Sequence, residues 1–495
     1  MSFQSLGFLA FLAAAMGCCR VVGLYFWGMD NLRPWPSNTT AGEYTAANAL
    51  FLVLFSFLFY VFACAGAGSV NLLVVPVAGM FVTWFAARHL QSGRGGRRLV
   101  LALAAVWHIA VLAAFKYAGF LTGGRFVLPL VPPGISFFTF QQLWLLKEVY
   151  TGNFSLESDE SSGFFACALF FPTVLSGPIW KPQAFFPQLR KGILLPAGED
   201  YGAGLYALSR GMAKKLLLSD PLGAVVANGW AQGAEMTAPT AWVVILGYSL
   251  QLYLDFSGYC DIASGCARLL GIRLPVNFDG PYRALSVGEF WRRWHMTLTA
   301  FLRECVYFPL GGSRRGTVRA CGNILAVYLI SGLWHGSGWT FLVWGLLHGL
   351  AQILERLWPG RERLPKGLRW AMTFLFVNVC WVFFQAPSLG AAGMLLRRAV
   401  SGGGGLPLAA LAAGALDTEA AALRTLLPMA SQWVPGLVLA ALFGAGLAVS
   451  LRRRGVVQRM EDFRPTYGGV LVSAGLLTWA VLSFSSTAVF IYANF

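Results

Sequence analysis

Charged residues are scarce in this sequence of 495 residues: 12% are Asp, Glu, Lys or Arg, against about 25% in soluble domains. Acidic side chains are the rarer kind, with 21 Asp and Glu against 37 Lys and Arg. Hydrophobic residues make up 57% and form long blocks, such as residues 50–65 and 433–449. A block of about 20 apolar residues can cross a bilayer. The composition therefore excludes an ordinary soluble protein and predicts an all-α polytopic membrane protein, with roughly eleven to thirteen crossing or re-entrant segments.

Several familiar motifs are missing. The nine cysteines form no CxxC pair and have no Cys/His metal spacing, so we predict neither a disulfide framework nor a metal site. The sequence also lacks a GxSxG elbow, an HExxH motif and a Walker P-loop. Local motifs therefore give no support to a serine hydrolase, a zinc protease or an ATP-driven pump. No bound cofactor is expected.

The net charge of +16 comes from clusters in the short connections between apolar blocks, at residues 88–98, 292–319, 361–369 and 452–454. In a soluble protein such a balance would suggest nucleic acid as a partner. In a membrane protein it follows from the positive-inside rule, which places these connections in the cytoplasm. The predicted surroundings are therefore the lipid bilayer, and no nucleic-acid partner is expected.

Two segments of the first half contain prolines that break a simple spanning helix. They are residues 128–142 and residues 172–187. Non-helical backbone at membrane depth is tolerated only where protein or a water-filled cavity covers it. Both segments could thus be re-entrant pieces that line an internal chamber, or they could be interfacial loops without a special role. The sequence leaves these two alternatives open.

A basic amphipathic helix is predicted from Ser286, which forms a capping box with Glu289. Apolar and aromatic residues follow at helical spacing on one face: Trp291, Trp294, His295, Leu298 and Leu302. Arg292 and Arg293 lie off that face, toward water or lipid headgroups. His295 is therefore either a core histidine satisfied by one hydrogen bond or a functional residue.

His335 has the most unusual setting of the five histidines. It follows Arg319 by 16 residues, which would rise about 24 Å in a helix and place the ring inside the hydrocarbon layer. Ionisable residues at such depth are usually functional. Gly332, Gly336 and Gly338 surround it, and we expect them to let a substrate chain approach the backbone. His335 is therefore our main candidate for catalysis.

A deeply buried imidazole would be uncharged at physiological pH, because burial disfavours the cation and its ordinary pKa is only about 6.5. A neutral imidazole can accept a proton as a general base. Its natural task here is to deprotonate a hydroxyl that attacks an activated carbonyl. His348 follows 13 residues after His335. It would lie about 220° around a straight helix, so we interpret it as a packing residue.

Several motifs together resemble the bacterial membrane-bound O-acyltransferases (MBOAT), in particular the alginate O-acetyltransferase branch. The strongest are QLYLDFSGY at residues 251–259, FWRRWHMTL at residues 290–298, YFPLGGSR at residues 307–314 and LWHG at residues 333–336. Shorter stretches fit the same branch: PGISFFTF at residues 133–140, EVYTG at residues 148–152 and SGPI at residues 176–179.

The resemblance implies one membrane-embedded domain over residues 1–495. Its motif core would span about residues 130–350, and peripheral helices would occupy about residues 368–495. The implied fold is a ring of tilted transmembrane helices around a thin central partition, with re-entrant segments. The implied location is the inner (cytoplasmic) membrane of the cell, which the chain would cross several times.

The resemblance also implies the chemistry. His335 matches the family's catalytic histidine and His295 its second motif histidine, while Trp334 is assigned to substrate binding. The donor would be a cytoplasmic thioester, either acetyl-CoA or the phosphopantetheine arm of an acyl carrier protein. The acceptor would be a periplasmic SGNH-type acetyltransferase or another acyl acceptor protein.

Five further side chains are candidates for substrate binding. Arg292, Arg293 and Arg303 could hold the phosphates of the donor, although simple positive-inside anchoring is an equal alternative. Asp255 and Ser257 are polar residues in an apolar run. A buried carboxylate needs a partner, so Asp255 could orient a histidine or support the wall of the chamber.

The predicted function is O-acetylation of an exported polysaccharide, alginate-like or another cell-surface polymer. The alternative within the same class is D-alanyl transfer from a carrier protein to teichoic acid. A transporter is less favoured, because such proteins usually contain internal repeats and paired broken helices in both halves. Here both broken segments lie in the first half.

Overall fold

The structure, a computed structural model, describes residues 5–32, 40–157, 161–190 and 198–486. Within these ranges every regular element is a helix and no strand occurs, as predicted. The first ten α-helices are α1 (Leu6–Leu32), α2 (Thr40–Gly66), α3 (Val74–Gln91), α4 (Arg97–Leu121), α5 (Ile135–Tyr150), α6 (Ser161–Leu169), α7 (Pro182–Arg190), α8 (Gly198–Ala213), α9 (Asp220–Ala231) and α10 (Ala238–Leu269).

The second half contains eleven further α-helices in the described part of the chain. They are α11 (Val287–Arg293), α12 (Met296–Leu302), α13 (Thr317–His335), α14 (Trp339–Leu357), α15 (Lys366–Gln385), α16 (Leu389–Ser401), α17 (Leu408–Ala412), α18 (Asp417–Leu426), α19 (Val434–Ser450), α20 (Val456–Met460) and α21 (Tyr467–Leu482). Two π-helical segments, Lys214–Ser219 and Arg303–Tyr307, continue α8 and α12.

Six helical stretches of the described chain are long and apolar enough to cross a membrane: Ala49–Gly66, Val70–Gln91, Arg97–Leu121, Thr317–His335, Lys366–Gln385 and Pro428–Ser450. Shorter apolar helices cover Leu6–Cys18 and Tyr467–Leu482. The estimate of eleven to thirteen segments from the sequence also counted re-entrant pieces. The exposed side of α4 is a stripe of large apolar residues, Leu99, Leu103, Val106 and Ile109, as expected for a helix that faces lipid.

The basic connections meet at one face of the molecule. Gly332 and Gly345 pack against the backbones of Phe341 and Tyr328, so α13 and α14 run antiparallel. The start of α13, the end of α14 and the start of α15 therefore lie together, next to the arginines of residues 314–319 and 361–369. The far end of α4 contacts the far end of α13, which places the start of α4 there too. We call this side the basic face and the other the opposite face.

The longest helix, α10, is buried along most of its length, and α8 lies directly against it. Small residues make this contact possible. A Cβ added at Gly211 would lie 2.8 Å from the carbonyl oxygen of Gly258, and one added at Gly265 would lie 2.8 Å from that of Gly204. Both distances are too short for a side chain, so the two backbones touch as in small-residue helix pairs of membrane proteins.

Candidate active site

His335 is the last residue of α13, and the helix ends there because the backbone of Gly336 is extended, with φ −166° and ψ 159°. The histidine is only 1% exposed. Its ring makes edge-on contacts with three aromatic rings, at centroid distances of 4.6 Å to Trp334, 5.0 Å to Trp344 and 5.0 Å to Phe384. The helix between the basic connection and His335 is thus continuous, as the predicted depth of the ring required. The imidazole at its end is surrounded by aromatic side chains.

Two of the glycines near His335 allow a close contact between α13 and α14. A Cβ on Gly332 would lie 2.5 Å from the carbonyl oxygen of Phe341, and a Cβ on Gly336 would lie 2.1 Å from the Phe341 ring. The space beside these two glycines is therefore filled by α14. Beside Gly332 the room expected for a substrate chain is thus occupied by α14. Gly336 also lines the cavity at His335, so the approach of a substrate chain to this part of the backbone stays a prediction.

A cavity of about 560 Å³ borders His335, a volume typical of small-molecule sites. Besides His335 its wall includes Lys116, Pro132, Pro133, Leu175, Ser337 and Phe341. Lys116 lies 19 residues after Arg97 in α4, and His335 lies 18 residues after Thr317 in α13. Each is thus about 27 Å from the basic face along its helix. The cavity therefore belongs to the opposite half of the molecule.

The two proline-containing segments form part of this wall and touch each other. Gly134 has a positive φ of +71°, and a Cβ there would lie 2.3 Å from the carbonyl oxygen of Val174, so only glycine fits this contact. Leu175 also lines the cavity. Of the two alternatives left open by the sequence, the contacts favour chamber-lining segments over interfacial loops.

Residues 170–181 are irregular yet almost entirely buried, so their backbone polar groups need partners other than water. Side chains supply several of these hydrogen bonds. Gln141 accepts from the Trp180 amide at 3.2 Å and donates to its carbonyl at 2.8 Å. Thr297 Oγ1 accepts from the Ile179 amide at 3.1 Å. The segment is thus fixed between α5 and α12.

Lys116 is a residue that our sequence reasoning missed. Its ammonium group donates a hydrogen bond to the carbonyl of Trp334, at the end of α13, and lies 5.8 Å from the centroid of the Trp334 ring. Lysine near a helix C-terminus stabilises the final carbonyl groups. A signal was present in the sequence, since Lys116 is a lone charge within the apolar run of α4, and such charges are usually functional.

The helix predicted through His295 is broken at that residue. Ser286 caps α11 by accepting from the Glu289 amide, as predicted, but α11 ends at Arg293 and α12 begins at Met296. His295 has φ 45° and ψ 53°, a left-handed conformation that is uncommon for a non-glycine residue. The prediction of one continuous helix through His295 was wrong. Apolar residues at helical spacing indicate a buried face, but they do not indicate whether the backbone is interrupted within it.

The break is held by Asn277, which the sequence did not identify. Its carbonyl accepts from the Met296 amide at 3.0 Å. Its side-chain oxygen lies 3.2 Å from His295 Nδ1 and accepts from the Thr297 amide at 3.1 Å. The imidazole of His295 is thereby placed 6.1 Å from the Trp334 ring centroid. Trp334 therefore lies in contact with both histidines, which gives this predicted binding residue a position between them.

The three candidate arginines differ in their surroundings. Arg293 is paired with Glu289 at 2.8 Å and lies 3.5 Å from Asp279, so its charge is already compensated. Arg292 and Arg303 are exposed, and neither has a carboxylate partner among the described residues. Arg292 and Arg303 remain candidates for a phosphate-binding role, whereas Arg293 is better described as an anchor of α11.

Asp255 and Ser257 face the π-helical segment that follows α8. The carboxylate of Asp255 lies 2.8 Å from Lys215 Nζ, and Ser257 Oγ accepts from Lys214 Nζ at 3.2 Å. Neither residue is among those that line the cavity at His335. The partner that a buried carboxylate requires is thus a lysine, and these contacts favour the interpretation of Asp255 as a support for the helix frame.

A second charged cluster, also not predicted, fastens α5 to the segment after α12. Glu304 lies 2.8 Å from Lys181 Nζ and 3.4 Å from Lys147 Nζ, and it accepts from Trp144 Nε1 at 3.3 Å. Burial raises the pKa of Glu304, but these hydrogen bonds and positive charges outweigh it and bring the pKa below its ordinary value. The carboxylate is therefore stabilised in its charged form.

Comparison with known proteins identifies the family. The profile of the MBOAT, membrane-bound O-acyltransferase family matches residues 163–390, a range that includes His295 and His335. The chain is 35% identical to a peptidoglycan O-acetyltransferase of Helicobacter pylori, over 70% of this chain and 73% of that protein. It is 33% identical to a probable alginate O-acetylase of Azotobacter vinelandii, over 69% and 74%.

More distant similarity extends to a teichoic acid D-alanyltransferase of Streptococcus thermophilus, which is 26% identical over 64% of this chain and 78% of that protein. All of these relatives are acyl-transferring enzymes by name. The all-helical fold and the candidate membrane spans fit the same class. This chain therefore belongs to the membrane-bound O-acyltransferase family, as a multi-pass O-acyltransferase.

Proposed function

We propose that this enzyme passes an acetyl group from a cytoplasmic thioester across the inner membrane, for O-acetylation of a cell-surface polysaccharide. The observation that carries the proposal is the position of His335. It borders a cavity of about 560 Å³ in the half of the molecule away from the basic connections. Under the positive-inside rule the basic face is cytoplasmic, so this cavity would receive the acceptor.

In the proposed reaction, a ring nitrogen of His335 accepts the proton of the acceptor hydroxyl. The hydroxyl oxygen then forms a bond with the carbonyl carbon of the thioester, and the carbon–sulfur bond breaks. The departing thiolate takes the proton, so that the products are an ester and a free thiol. The aromatic rings shield His335 on the sides away from the cavity, and an acceptor bound in the cavity would displace water from the remaining side, which disfavours hydrolysis of the thioester.

The donor is proposed to approach from the basic face. Arg292 and Arg303 are exposed on the segment that contains His295, and guanidinium groups suit phosphate. Both acetyl-CoA and the phosphopantetheine arm of an acyl carrier protein bring a phosphate and a thioester. His295 and Trp334 would then guide the thioester toward His335, since Trp334 is in contact with both rings.

Acetate is favoured over D-alanine because the two O-acetylating relatives are 35% and 33% identical, against 26% for the D-alanyltransferase. The acceptor is proposed to be a hydroxyl of the polysaccharide itself or of a periplasmic SGNH-type protein that passes the acetyl group on. The peptidoglycan and alginate relatives are about equally similar to this chain in sequence, so both polymers should be offered as acceptors in the experiment.

The test uses purified protein in proteoliposomes with radiolabelled acetyl-CoA inside and acceptor outside. His335→Ala should lower acetyl transfer by about 10²- to 10⁴-fold, the usual contribution of a general base. His89→Gln is the matched control. His89 lies at the basic end of α3, where its ring contacts the Gly95 carbonyl at 3.1 Å, and the change should leave the rate within about twofold of wild type.

Parallel reactions with an acetyl-loaded and a D-alanyl-loaded carrier protein identify the donor and the acyl group. Near-normal transfer by a well-folded His335→Ala protein would refute the role of His335. Transfer of alanine but not acetate would refute the acetyl assignment and leave the acyltransferase class intact.

A further inference from the structure

A second cavity, of about 290 Å³, lies between α8, α19 and α21. It is at the basic face, because the backbone of Arg452 packs against Gly280 and the nearby amides of Val287 and Gly288 donate to Glu355 near the end of α14. It is separate from the cavity at His335 and shares no lining residue with it. Five basic residues converge on it from two distant parts of the chain: Arg210, Lys214, Arg452, Arg454 and Arg459. The positive-inside rule explains why arginines occur in this connection, but it does not require them to surround one cavity.

The positive charge of this second cavity is only partly compensated. Lys214 is paired with Asp261 at 2.6 Å, and Arg454 is paired with Asp462. Arg452 and Arg459 have no carboxylate partner among the described residues. An excess of at least two positive charges therefore faces the cavity, and it would attract an anion.

Arg210 adds a third guanidinium without a carboxylate in the described structure. It donates to Ser473 Oγ at 2.7 Å and stacks over the Tyr206 ring at 3.8 Å. Burial lowers the pKa of Arg210; Tyr206 opposes this effect, and the charges of Arg452 and Arg459 add to it. Arg210 thus lies close enough to Arg452 and Arg459 to be repelled by them, and an anion bound among the three would relieve that repulsion.

The remaining wall of the cavity is apolar. Leu218, Val449, Val472 and Leu476 line it, and Val472 is also 54% exposed on the outer side of α21. Its neighbour Leu471 is 73% exposed, so the cavity adjoins a surface that faces the hydrocarbon layer. A ligand that fits must carry a negative headgroup and apolar chains, which is the chemistry of an anionic phospholipid.

We propose that this second cavity binds the phosphate headgroup of an anionic phospholipid from the basic-face leaflet. Arg210, Arg452 and Arg459 hold the phosphate, and the acyl chains lie along the exposed apolar side of α21. The phosphates of coenzyme A offer the same anionic group. The apolar wall beside an exposed helix favours the lipid, because coenzyme A has no long chains to cover it. This inference does not depend on the proposed acetyl transfer.

Native mass spectrometry of the purified full chain would test the proposal. The protein is mixed in detergent with phosphatidylglycerol or with phosphatidylethanolamine, and the lipid adducts are counted. Wild type should retain phosphatidylglycerol at least about tenfold better than phosphatidylethanolamine, because each arginine near an anionic headgroup strengthens its binding. The double variant Arg452→Gln/Arg459→Gln should lose that preference.

A matched control removes the same charge elsewhere on the basic face. Arg453 and Arg363 are both exposed and do not line the cavity, so Arg453→Gln/Arg363→Gln should bind phosphatidylglycerol like wild type. Equal binding of both lipids, or unchanged binding in the Arg452/Arg459 variant, would overturn the proposal. Displacement of phosphatidylglycerol by equimolar coenzyme A would also overturn it, by assigning the cavity to the donor. Thermal unfolding of each variant without lipid shows whether its fold is intact.

Discussion

Two buried regions of this protein contain ionisable side chains, and they differ in the surroundings of those side chains. Between α8 and α10, Lys215 lies 2.7 Å from Asp220 and 2.8 Å from Asp255. At the end of α13, His335 lies among aromatic rings beside a cavity. In the first region the lysine is compensated by two carboxylates, although Lys215 and Asp220 also border a cavity. In the second region the imidazole is surrounded by aromatic rings and borders a cavity. Burial of an ionisable group thus does not by itself identify a reaction centre.

The paired region also shows how the backbone adapts to charge. Lys214 and Lys215 are neighbours in the sequence, yet both point toward α10, where Lys214 meets Asp261 at 2.6 Å and Lys215 meets Asp255 at 2.8 Å. A regular α-helix would turn consecutive side chains about 100° apart. The wider π-helical turn over Lys214–Ser219 accompanies this arrangement, in line with the functional or structural use of such bulges.

Of the substitutions that test this contrast between the two regions, Lys215→Met should have the largest effect, which is a loss of folding stability. The change leaves Asp220 and Asp255 buried without their shared cation, which should cost about 3–5 kcal/mol of folding free energy. We expect a strong loss of folded protein in detergent, measured by thermal unfolding and by size-exclusion profile. Lys181→Met, at a half-exposed pair, is the matched control and should cost about 1 kcal/mol or less. A Lys215→Met protein that is stable but inactive would contradict this contrast, because it would show that Lys215 acts in catalysis.

An intermediate effect is expected from Lys116→Met. Lys116 holds the carbonyl of Trp334, so its loss should let the end of α13 shift and misplace His335. Small misplacements of a catalytic group cost up to about 10²-fold in rate, and we expect kcat to fall about tenfold with the donor KM little changed. Lys116→Arg keeps a cation and should recover part of the rate. A rise in acceptor KM at constant kcat would instead make Lys116 a binding residue.

The smallest effect concerns Glu304, outside both regions. Its pKa is below its ordinary value because Lys181 and Lys147 stabilise the carboxylate against the effect of burial. A lowered pKa in the folded state contributes stability that is present at neutral pH and is lost as the pH falls through that pKa. Glu304→Gln should therefore lower Tm by about 1–3 °C at pH 7 and by less near pH 4. An equal shift at both pH values would contradict the proposed ionic origin.

The sequence determined the class of this protein and its main catalytic candidate, because both depend on local composition. Long apolar blocks predict spanning helices whatever their neighbours are, and the interval from Arg319 to His335 fixes the depth of that ring once the segment is helical. The prolines of residues 128–142 and 172–187 likewise predict that no continuous helix spans these segments. The cap at Ser286 is also local, and the structure contains it.

Only the tertiary structure decided which partner each polar side chain finds. Asn277 meets His295 across 18 positions, Lys215 meets Asp255 across 40, and Lys116 meets the carbonyl of Trp334 across 218. No periodic pattern in the sequence predicts such pairs. The spacing of apolar residues shows which face of a helix is buried, but it does not show which other helix packs against that face. The break at His295 has the same origin, since its backbone conformation is stabilised by a neighbour outside its own helix. The physical reason is that hydrogen bonds and ion pairs in a dry interior are satisfied by whatever the packed helices bring within reach.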